Sequence, residues 1–403
     1  MLNKQIFQFP IIYSNPLGKM ALGWGAHETV ADECKAYHIK KALIVTTGLK
    51  GTGIVDEINR ILTQNGVSTE IFNKITSNPK DHEIMSAYRV FQEAGCDGVV
   101  SVGGGSSHDC GKGVRALAAN PGRQICDLAA FIDPPWMEKI KSFHPITVPQ
   151  VAVTTTAGTG AESTIFCTVS NTRVRAKQLV IVPGAQPNTA IIDPLLIRTM
   201  PQHIAAWTGF DALTHGFEAY VTRIQVPHSS GILLRLMTLV ADNLREFAYN
   251  RMNHVACEAM AHAASMGGVG IGFGAGAGII HGMGHQIGAL TDCHHGRANA
   301  VVTLAGERYN EAACPERFVE MARAMGVDTT GLTRIQAADR WFDEIERLLK
   351  DLNIEPGNLN RQFGLKEEDL RHIVKTYSND FCSQGNPREF NAEETLQLLQ
   401  SLL

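Results

Sequence analysis

Short apolar runs alternate with helical patterns through the first half of the chain. Four of these runs are bounded by turn residues and predict strands: Lys41–Thr46, Gly98–Val102, Ile146–Val153 and Ala190–Asp193. Between them, apolar residues recur at the spacing of an amphipathic helix in Asp56–Asn65 and Asp81–Ala94. Apolar strands separated by helices predict a parallel sheet that helices cover on both faces.

The pattern changes after Pro201. Long stretches with helical periodicity follow at Thr208–Arg223, Ser230–Tyr249, Val255–Ser265, Pro315–Met325 and Gln336–Leu352. We therefore expect an α/β domain over residues 1–196 and an all-helical domain over residues 197–403. Since no internal repeat or low-complexity linker separates them, the cleft between the two domains is the natural place for a ligand.

The composition is that of an ordinary globular protein, with 44% hydrophobic and 19% charged residues in 403. The formal net charge is −4 and the charges are interspersed. We expect no nucleic-acid partner, because a phosphate backbone attracts a basic surface. Nine scattered cysteines without a CxxC pair favour free thiols in a reducing compartment, so we expect a cytoplasmic protein.

Two segments bear on whether the chain is exported or inserted into a membrane. The N-terminal sequence MLNKQIFQFPIIYSNPLGKM has no long apolar core and does not predict a secretory signal. The uncharged stretch Ala263–Ile280 has membrane length, but seven of its eighteen residues are glycine. Because glycine contributes almost nothing to transfer into lipid, we expect no membrane span.

Two glycine-bearing loops follow predicted strands. The strand at Gly98–Val102 runs into GGGS at Gly103–Ser106 and then into a helix, and TTTAGTGAE at Thr154–Glu162 follows the strand that ends at Val153. Backbone N–H groups at such a helix start bind phosphate. The strict GxGxxG fingerprint is absent because His108 replaces its third glycine, so the first loop alone equally fits an ordinary tight turn. Two loops at one sheet edge favour a ligand site.

Acidic and histidine side chains recur at helical spacing in the second half. Asp211 and His215 stand four residues apart, His281 and His285 repeat that spacing, and His295 follows. Residues i and i+4 share one helix face. Either pair alone fits a chance arrangement among fifteen histidines. Together they predict a site for a divalent ion, iron or zinc, because a carboxylate with imidazoles is a borderline donor set.

These motifs, taken in order, resemble the iron-containing (group III) alcohol dehydrogenases. The motifs are GGGSSHDCGKG, TTTAGTGAE, IIDPLLI, GFDALTHGFEAY, HGMGHQIGA, HHGRANAV and GNPRE, and they span nearly the whole chain. The local sequence is most similar to two branches of that family, the methanol dehydrogenases with the formaldehyde dismutases, and the 1,3-propanediol dehydrogenases. The resemblance implies a dinucleotide-binding α/β domain followed by a helical metal-binding domain.

The resemblance also implies roles for individual residues. It places the metal ligands on Asp211, His215, His281 and His295, and a histidine near the nicotinamide, a candidate proton shuttle, on His285. It places cofactor contacts on Thr47, Gly104, Gly105, Ser106, Asp109, Thr155, Thr156, Thr164 and Lys177. His294 matches no ligand position.

Three positions depart from the family pattern. Thr47 stands where many NAD-preferring members have aspartate, and without that negative charge NADP(H) stays open. Because the methanol dehydrogenase branch, which this chain resembles, also has threonine there and uses NAD, we expect NAD(H). Phe166 gives a more apolar wall than the usual asparagine. The run Gly268–Gly278 has glycine at every second residue, which costs about 0.8–1 kcal/mol of helix propensity per glycine. That run must be held by packing or be irregular, and we expect a roomier or more mobile pocket beside His281.

The expected function is metal-dependent hydride transfer between NAD(P)(H) and a small primary alcohol or its aldehyde, with Fe2+ as the metal and zinc as its substitute. Neutral alcohols, diols and anionic aldehydes such as sulfoacetaldehyde all fit. One alternative enzyme holds NAD tightly and dismutates aldehydes or passes hydride to an external acceptor; another is a metal lyase of the dehydroquinate synthase type. A non-enzymatic assembly module is the remaining alternative. We expect a homo-oligomer, a dimer or larger.

Overall fold

The computed structural model describes residues 18–130, 136–224 and 226–403. The segment in which we expected no secretory signal therefore lies mostly outside the described residues. Nine strands are described: β1 (Lys19–Leu22), β2 (Lys41–Thr46), β3 (Ser68–Phe72), β4 (Gly98–Gly103), β5 (Ala129–Ala130), β6 (Gln150–Thr154), β7 (Cys167–Asn171), β8 (Ala176–Val180) and β9 (Thr189–Ile192).

Helices connect the strands and then form all of the regular structure that follows. Among the strands lie α1 (Val30–Ala36), α2 (Ile54–Gln64), α3 (Asp81–Glu93), α4 (Gly105–Ala119) and α5 (Trp136–Lys141). After β9 come α6 (Pro194–Ile197), α7 (Gln202–Val221), α8 (Pro227–Tyr249), α9 (His254–Gly270), α10 (Ile279–Thr291), α11 (His295–Glu311), α12 (Pro315–Ala324), α13 (Arg334–Asp351), α14 (Leu359–Phe363), α15 (Glu367–Tyr377), α16 (Cys382–Gly385) and α17 (Ala392–Ser401). Within the described residues, no helix is both long enough and apolar enough to cross a bilayer.

The main sheet has six strands in the order β1-β9-β6-β4-β2-β3, and every pair is parallel. Alternate side chains of β2 face opposite ways. Leu43 joins a core that includes residues of α3 and α4, whereas Ile44 joins one that includes residues of α1 and α2. The predicted parallel sheet with helices on both faces is thus confirmed.

A second sheet, the antiparallel β5-β8-β7, was not predicted. Its strands have two to five residues, and the two longer ones, β7 and β8, carry polar side chains, as in AKQLV of β8. Such short runs lack the continuous apolar signal of the main sheet. The predicted parallel sheet therefore accounts for only part of the β-structure, and the omission matters because β8 carries Lys177.

Two predicted boundaries were displaced by prolines. The strand expected from Ile146 begins at Gln150, directly after Pro149, which has no N–H to donate to a neighbouring strand. The helix expected from Thr208 begins at Gln202, directly after Pro201. A proline is tolerated at a helix start because the first N–H groups have no intrahelical partner anyway. The division of the domains at residues 196 and 197 stays a prediction.

The glycine run is both packed and irregular. Helix α9 extends to Gly270, a π-helical turn follows at Ile271–Ala275, and α10 begins at Ile279. A Cβ atom added to Gly268 would lie 2.2 Å from the carbonyl oxygen of Gly160. One added to Gly278 would lie 2.7 Å from Asn386 Oδ1. At these two positions the missing side chain is replaced by close contact with neighbouring atoms. These two glycines therefore do not provide the extra space that we expected beside His281.

Candidate metal centre and dinucleotide site

Three helices bring the predicted ligands together. Helix α7 carries Asp211 and His215, α10 carries His281, and α11 begins with His295. The Nε2 atom of His281 lies 3.0 Å from His215 Nε2 and 3.9 Å from Asp211 Oδ1, and His295 Nε2 lies 3.7 Å from Asp211 Oδ1. In a tetrahedral zinc site the donor atoms are about 3.3–3.6 Å apart. The observed separations lie on both sides of that range. Asp211, His281 and His295 offer ligand atoms within 4.8 Å of one another, and His215 adjoins them through His281.

Burial keeps two of these imidazoles in the form that binds metal. It lowers the pKa of His215 to about 4 and the pKa of His295 well below its ordinary value. Both rings are therefore neutral at pH 7, as a metal ligand must be. Asn299 Nδ2 donates to Asp211 Oδ1 at 2.8 Å and so orients the carboxylate. The centre is thus arranged for a cation before one binds.

Two buried carboxylates, neither named from the sequence, hold the two histidines of α10. Glu218 accepts a hydrogen bond from His281 Nδ1, and Asp380 accepts one from His285 Nδ1 at 2.9 Å. Glu218 lies seven residues after Asp211, on the same face of α7, and that spacing could have identified it. Asp380 follows α15 in a segment without a recognisable motif, so only the packing reveals it.

The two glycine-bearing loops pack directly against each other at the sheet edge. Gly104 precedes α4 and Gly105 begins it, with Ser106 in the first turn. A Cβ atom on Gly104 would lie 2.8 Å from Thr156 Cγ2, and one on Gly105 would lie 2.9 Å from Thr159 Cγ2. The N–H of Thr155 donates to Gly103 O at 2.9 Å. The absence of side chains at Gly104 and Gly105 therefore lets the two loops form one surface at a helix N-terminus.

Thr47 lies at the same edge, directly after β2. Its N–H donates to Ser107 Oγ at 3.1 Å and its hydroxyl donates to Ile75 O at 2.6 Å. The hydroxyl thus has a fixed orientation, and its oxygen can still accept a hydrogen bond.

Asp109 and Thr164 contact a third residue, Lys112, which we had not assigned to the site. The buried Lys112 Nζ donates to Thr164 Oγ1 at 2.7 Å and lies 3.3 Å from Asp109 Oδ1. The other carboxylate oxygen, Asp109 Oδ2, accepts from the N–H of Thr168 at 3.0 Å. Both oxygens of Asp109 therefore have partners within the protein, and its direct contact with a cofactor stays a prediction.

Lys177 links the small sheet to α10. Its backbone N–H and C=O pair with the side-chain amide of Gln286, at 3.3 and 3.4 Å. A Cβ atom on Gly288 would lie 3.5 Å from Lys177 Nζ, so the ammonium group lies against α10. Burial lowers the pKa of Lys177 to about 8. This cation is therefore poised to lose its charge within an experimentally accessible pH range.

Two close backbone contacts join the phosphate end to the metal end. A Cβ atom on Gly158 would lie 2.8 Å from the carbonyl oxygen of Thr208 on α7, three residues before Asp211. A Cβ atom on Gly160 would likewise lie 2.6 Å from the backbone nitrogen of Gly268 on α9. The threonine loop thus packs on α7, which carries two of the predicted metal ligands, and on α9, so the two groups of predicted site residues adjoin each other.

Two family profiles match the chain, one in each half. The family described as "Iron-containing alcohol dehydrogenase" matches residues 18–194. The family described as "Fe-containing alcohol dehydrogenase family, C-terminal" matches residues 205–403.

Individual proteins are similar over nearly the whole chain. Methanol:N,N-dimethyl-4-nitrosoaniline oxidoreductase of Rhodococcus erythropolis is 36% identical over 419 aligned residues, covering 98% of this chain and 97% of its own. NAD-dependent methanol dehydrogenase of Bacillus methanolicus is 35% identical over 383 residues, covering 95% and 97%. A crystal structure of 1,3-propanediol oxidoreductase superposes with a TM-score of 0.88 at 34% identity, covering 97% of this chain and 100% of that one.

Proposed function

The chain belongs to the iron-containing alcohol dehydrogenase family, as its motifs indicated, and we propose that it interconverts a small primary alcohol and its aldehyde with NAD(H) as the hydride partner. The observation that carries this proposal is the convergence of Asp211, His281 and His295, with His215 in contact with His281, beside two glycine-bearing loops at the sheet edge. Membership of this family of dehydrogenases argues against the lyase and the assembly module considered above.

The metal would be held by Asp211, His215, His281 and His295. Their donor set suits Fe2+, with Zn2+ as the alternative. Bound there, the ion supplies a Lewis acid for the substrate oxygen. The protein contributes neutral imidazoles, an oriented carboxylate and a buried, shaped centre.

His285 is assigned the substrate proton. Its Nδ1 donates to Asp380, which leaves Nε2 with a free lone pair. Its ring stacks on that of His295 at 5.2 Å, so it adjoins the proposed metal centre without being one of the four ligands. A neutral imidazole in that place can accept the hydroxyl proton during oxidation and return it during reduction.

The dinucleotide would lie along the sheet edge. Gly104, Gly105, Ser106, Thr155 and Thr156 supply the surface for its pyrophosphate, with α4 contributing its positive N-terminal end. Lys177 adds a cation near the nicotinamide end. Asp109 and Thr164 act through Lys112, which ties α4 to the segment after the threonine loop. Thr47 carries no negative charge that would repel a 2′-phosphate, so NADP(H) also fits.

Similarity to the Rhodococcus oxidoreductase favours a second candidate, an enzyme that keeps its cofactor and passes hydride to an external acceptor. The two candidates differ in one measurable property. A dehydrogenase releases the dinucleotide on purification, whereas the acceptor-linked enzyme retains about one per chain. Oligomerisation to a dimer or larger stays a prediction.

Two measurements on anaerobically purified protein test the proposed dehydrogenase function. We expect about one divalent ion per chain by elemental analysis and a change in absorbance at 340 nm with a member of a panel of small alcohols and aldehydes. The panel includes diols and anionic aldehydes, each with both nicotinamide cofactors. Full activity in protein stripped of metal by a chelator would contradict the central claim.

A further inference from the structure

Side chains from distant parts of the chain cap the start of α10. The first N–H groups of a helix have no partner within it, and Gly278, which precedes α10, has no side chain to supply one. The N–H of Ile279 donates to Asn386 Oδ1 at 3.1 Å. The N–H of Ile280 donates to Glu218 Oε1 at 2.7 Å. Two side chains therefore fix the position at which this helix begins.

Gly278 makes that arrangement sterically feasible. A Cβ atom there would lie 2.7 Å from Asn386 Oδ1 and 3.0 Å from Glu218 Oε1. Asn386 belongs to the GNPRE motif, and its own Nδ2 donates to Asn310 Oδ1 at 2.8 Å. The motif that closes the family pattern therefore stabilises the helix that carries His281.

Glu218 also determines the tautomer of His281. It is fully buried on α7, and its second oxygen, Oε2, accepts from His281 Nδ1. A proton on Nδ1 leaves the lone pair on Nε2, the atom that lies 3.0 Å from His215 Nε2. A negatively charged partner on the remote ring nitrogen also makes an imidazole a better ligand.

We propose that Glu218 is a positioning residue of the metal centre. Glu218 holds His281 in the tautomer and the place that metal binding requires. Together with Asn386 it caps α10, and so it joins the centre to the C-terminal motif. The inference rests on the proposed metal site. Glu218 is not one of the four proposed ligands, and it acts through His281 and the start of α10.

Glu218→Gln isolates this role because the two side chains have nearly the same shape. Glutamine has one acceptor oxygen, whereas Glu218 uses both of its oxygens, one for the Ile280 N–H and one for His281 Nδ1. If the amide oxygen caps α10, the NH2 group faces His281 Nδ1 and favours the wrong tautomer. If the amide is reversed, α10 loses its cap. Either orientation weakens the centre.

Glu307→Gln is the matched control. Glu307 on α11 is also fully buried, and its side chain contacts Asn310 instead of a metal ligand. Burial, reinforced by the charge on Glu218, raises the pKa of Glu307 well above its ordinary value, so the control replaces a neutral acid with a neutral amide. Both variants thus introduce an amide into the interior, but only Glu218→Gln also removes a negative charge beside His281. Glu307 reaches the cap of α10 only through Asn310 and Asn386.

The experiment measures the Kd of metal-free protein for Zn2+ by competition with a chromophoric chelator. We expect Glu218→Gln to bind about 10–100-fold more weakly than wild type and Glu307→Gln to bind within about twofold of it. His281→Ala, which keeps the other three proposed ligands, should bind Zn2+ weakly enough to lose it on purification but still measurably at high Zn2+ concentration, and in that background Glu218→Gln should weaken binding no further. Equal affinity of Glu218→Gln and wild type, or a further loss in the His281→Ala background, would overturn the inference while leaving the proposed function intact.

A second measurement needs no substitution at Glu218 and therefore survives a folding failure. Nitrogen-15 spectra of histidine-labelled, metal-free wild-type protein, assigned with the His281→Ala variant, report which ring nitrogen carries the proton. We expect His281 to hold its proton on Nδ1. A proton on Nε2 alone would overturn the inference, whereas wild-type protein that binds no divalent metal would overturn the proposed function itself.

Discussion

The two ends of the site bind by different means. At the dinucleotide end, backbone N–H groups and the absence of side chains at Gly104 and Gly105 shape the surface. At the metal end, side-chain nitrogen and oxygen atoms do the binding, and buried carboxylates orient the rings. The first end is therefore sensitive to added atoms, and the second to lost donors and altered protonation. Substitutions that separate cofactor affinity from metal content test this comparison.

The largest effect is expected at the metal end. His281→Ala removes a ligand, so metal content should fall towards zero and alcohol oxidation below detection. Because the start of α4 and the threonine loop are untouched, binding of NADH, followed by its fluorescence, should remain within a few fold of wild type. Loss of NADH binding together with the metal would show that the two ends are not separable.

The next effect distinguishes a ligand from a proton shuttle on the same helix. His285→Ala should keep metal occupancy near normal, because the four donors remain, while the turnover rate falls by about 10²–10⁴-fold. Elemental analysis and initial rates on the same preparation decide this. If the metal is lost as completely as in His281→Ala, His285 is itself a ligand.

The dinucleotide end should respond to a single methyl group. Gly105→Ala places a Cβ atom 2.9 Å from Thr159 Cγ2, an overpacking that costs about 1–3 kcal/mol. If that strain falls on the bound form, the Kd for NADH rises by roughly 5–150-fold with metal content unchanged. Adding Thr159→Ala removes the obstructing atoms and should recover most of the affinity. An unchanged Kd in Gly105→Ala would show that the loops do not meet where the dinucleotide binds.

Lys177, which lies between the small sheet and α10, should make the affinity for NADH depend on pH. Because burial lowers its pKa to about 8, the side chain is cationic below pH 8 and loses its charge as the pH rises through that value. Its attraction for the anionic cofactor should decline in the same window, which raises the Kd for NADH several-fold between about pH 7 and 9. Lys177→Met should bind NADH weakly at both pH values. A pH dependence that persists in this variant belongs to another group.

The last effect concerns the choice of cofactor. Wild-type protein should discriminate only modestly between NADH and NADPH, because Thr47 offers no charge to repel the 2′-phosphate. Thr47→Asp should shift the ratio of kcat/KM values towards NADH by about tenfold, with no change in metal content. Strong rejection of NADPH by the wild type would assign the discrimination to a different residue.

The sequence alone predicted four of the six strands of the main sheet, β2, β4, β6 and β9, and was enough to name the proposed metal ligands. Continuous apolar runs such as KALIVT can only be buried on both faces, so a parallel sheet with two helical layers follows from composition and order. Asp211 and His215, four residues apart, share a helix face whatever packs against it. The motif order then identified the family, and the proposed ligands could be named without coordinates.

Only the tertiary structure decided which partners hold these residues. Glu218 and His281 are separated by 63 positions, and Asp380 and His285 by 95. Hydrophobic periodicity states which face of a helix is buried but not which neighbour that face meets. The tautomers of the two histidines, the contact between Gly105 and Thr159 and the pairing of Asp109 with Lys112 depend on the packing of whole elements, and so they became visible only when the elements were assembled.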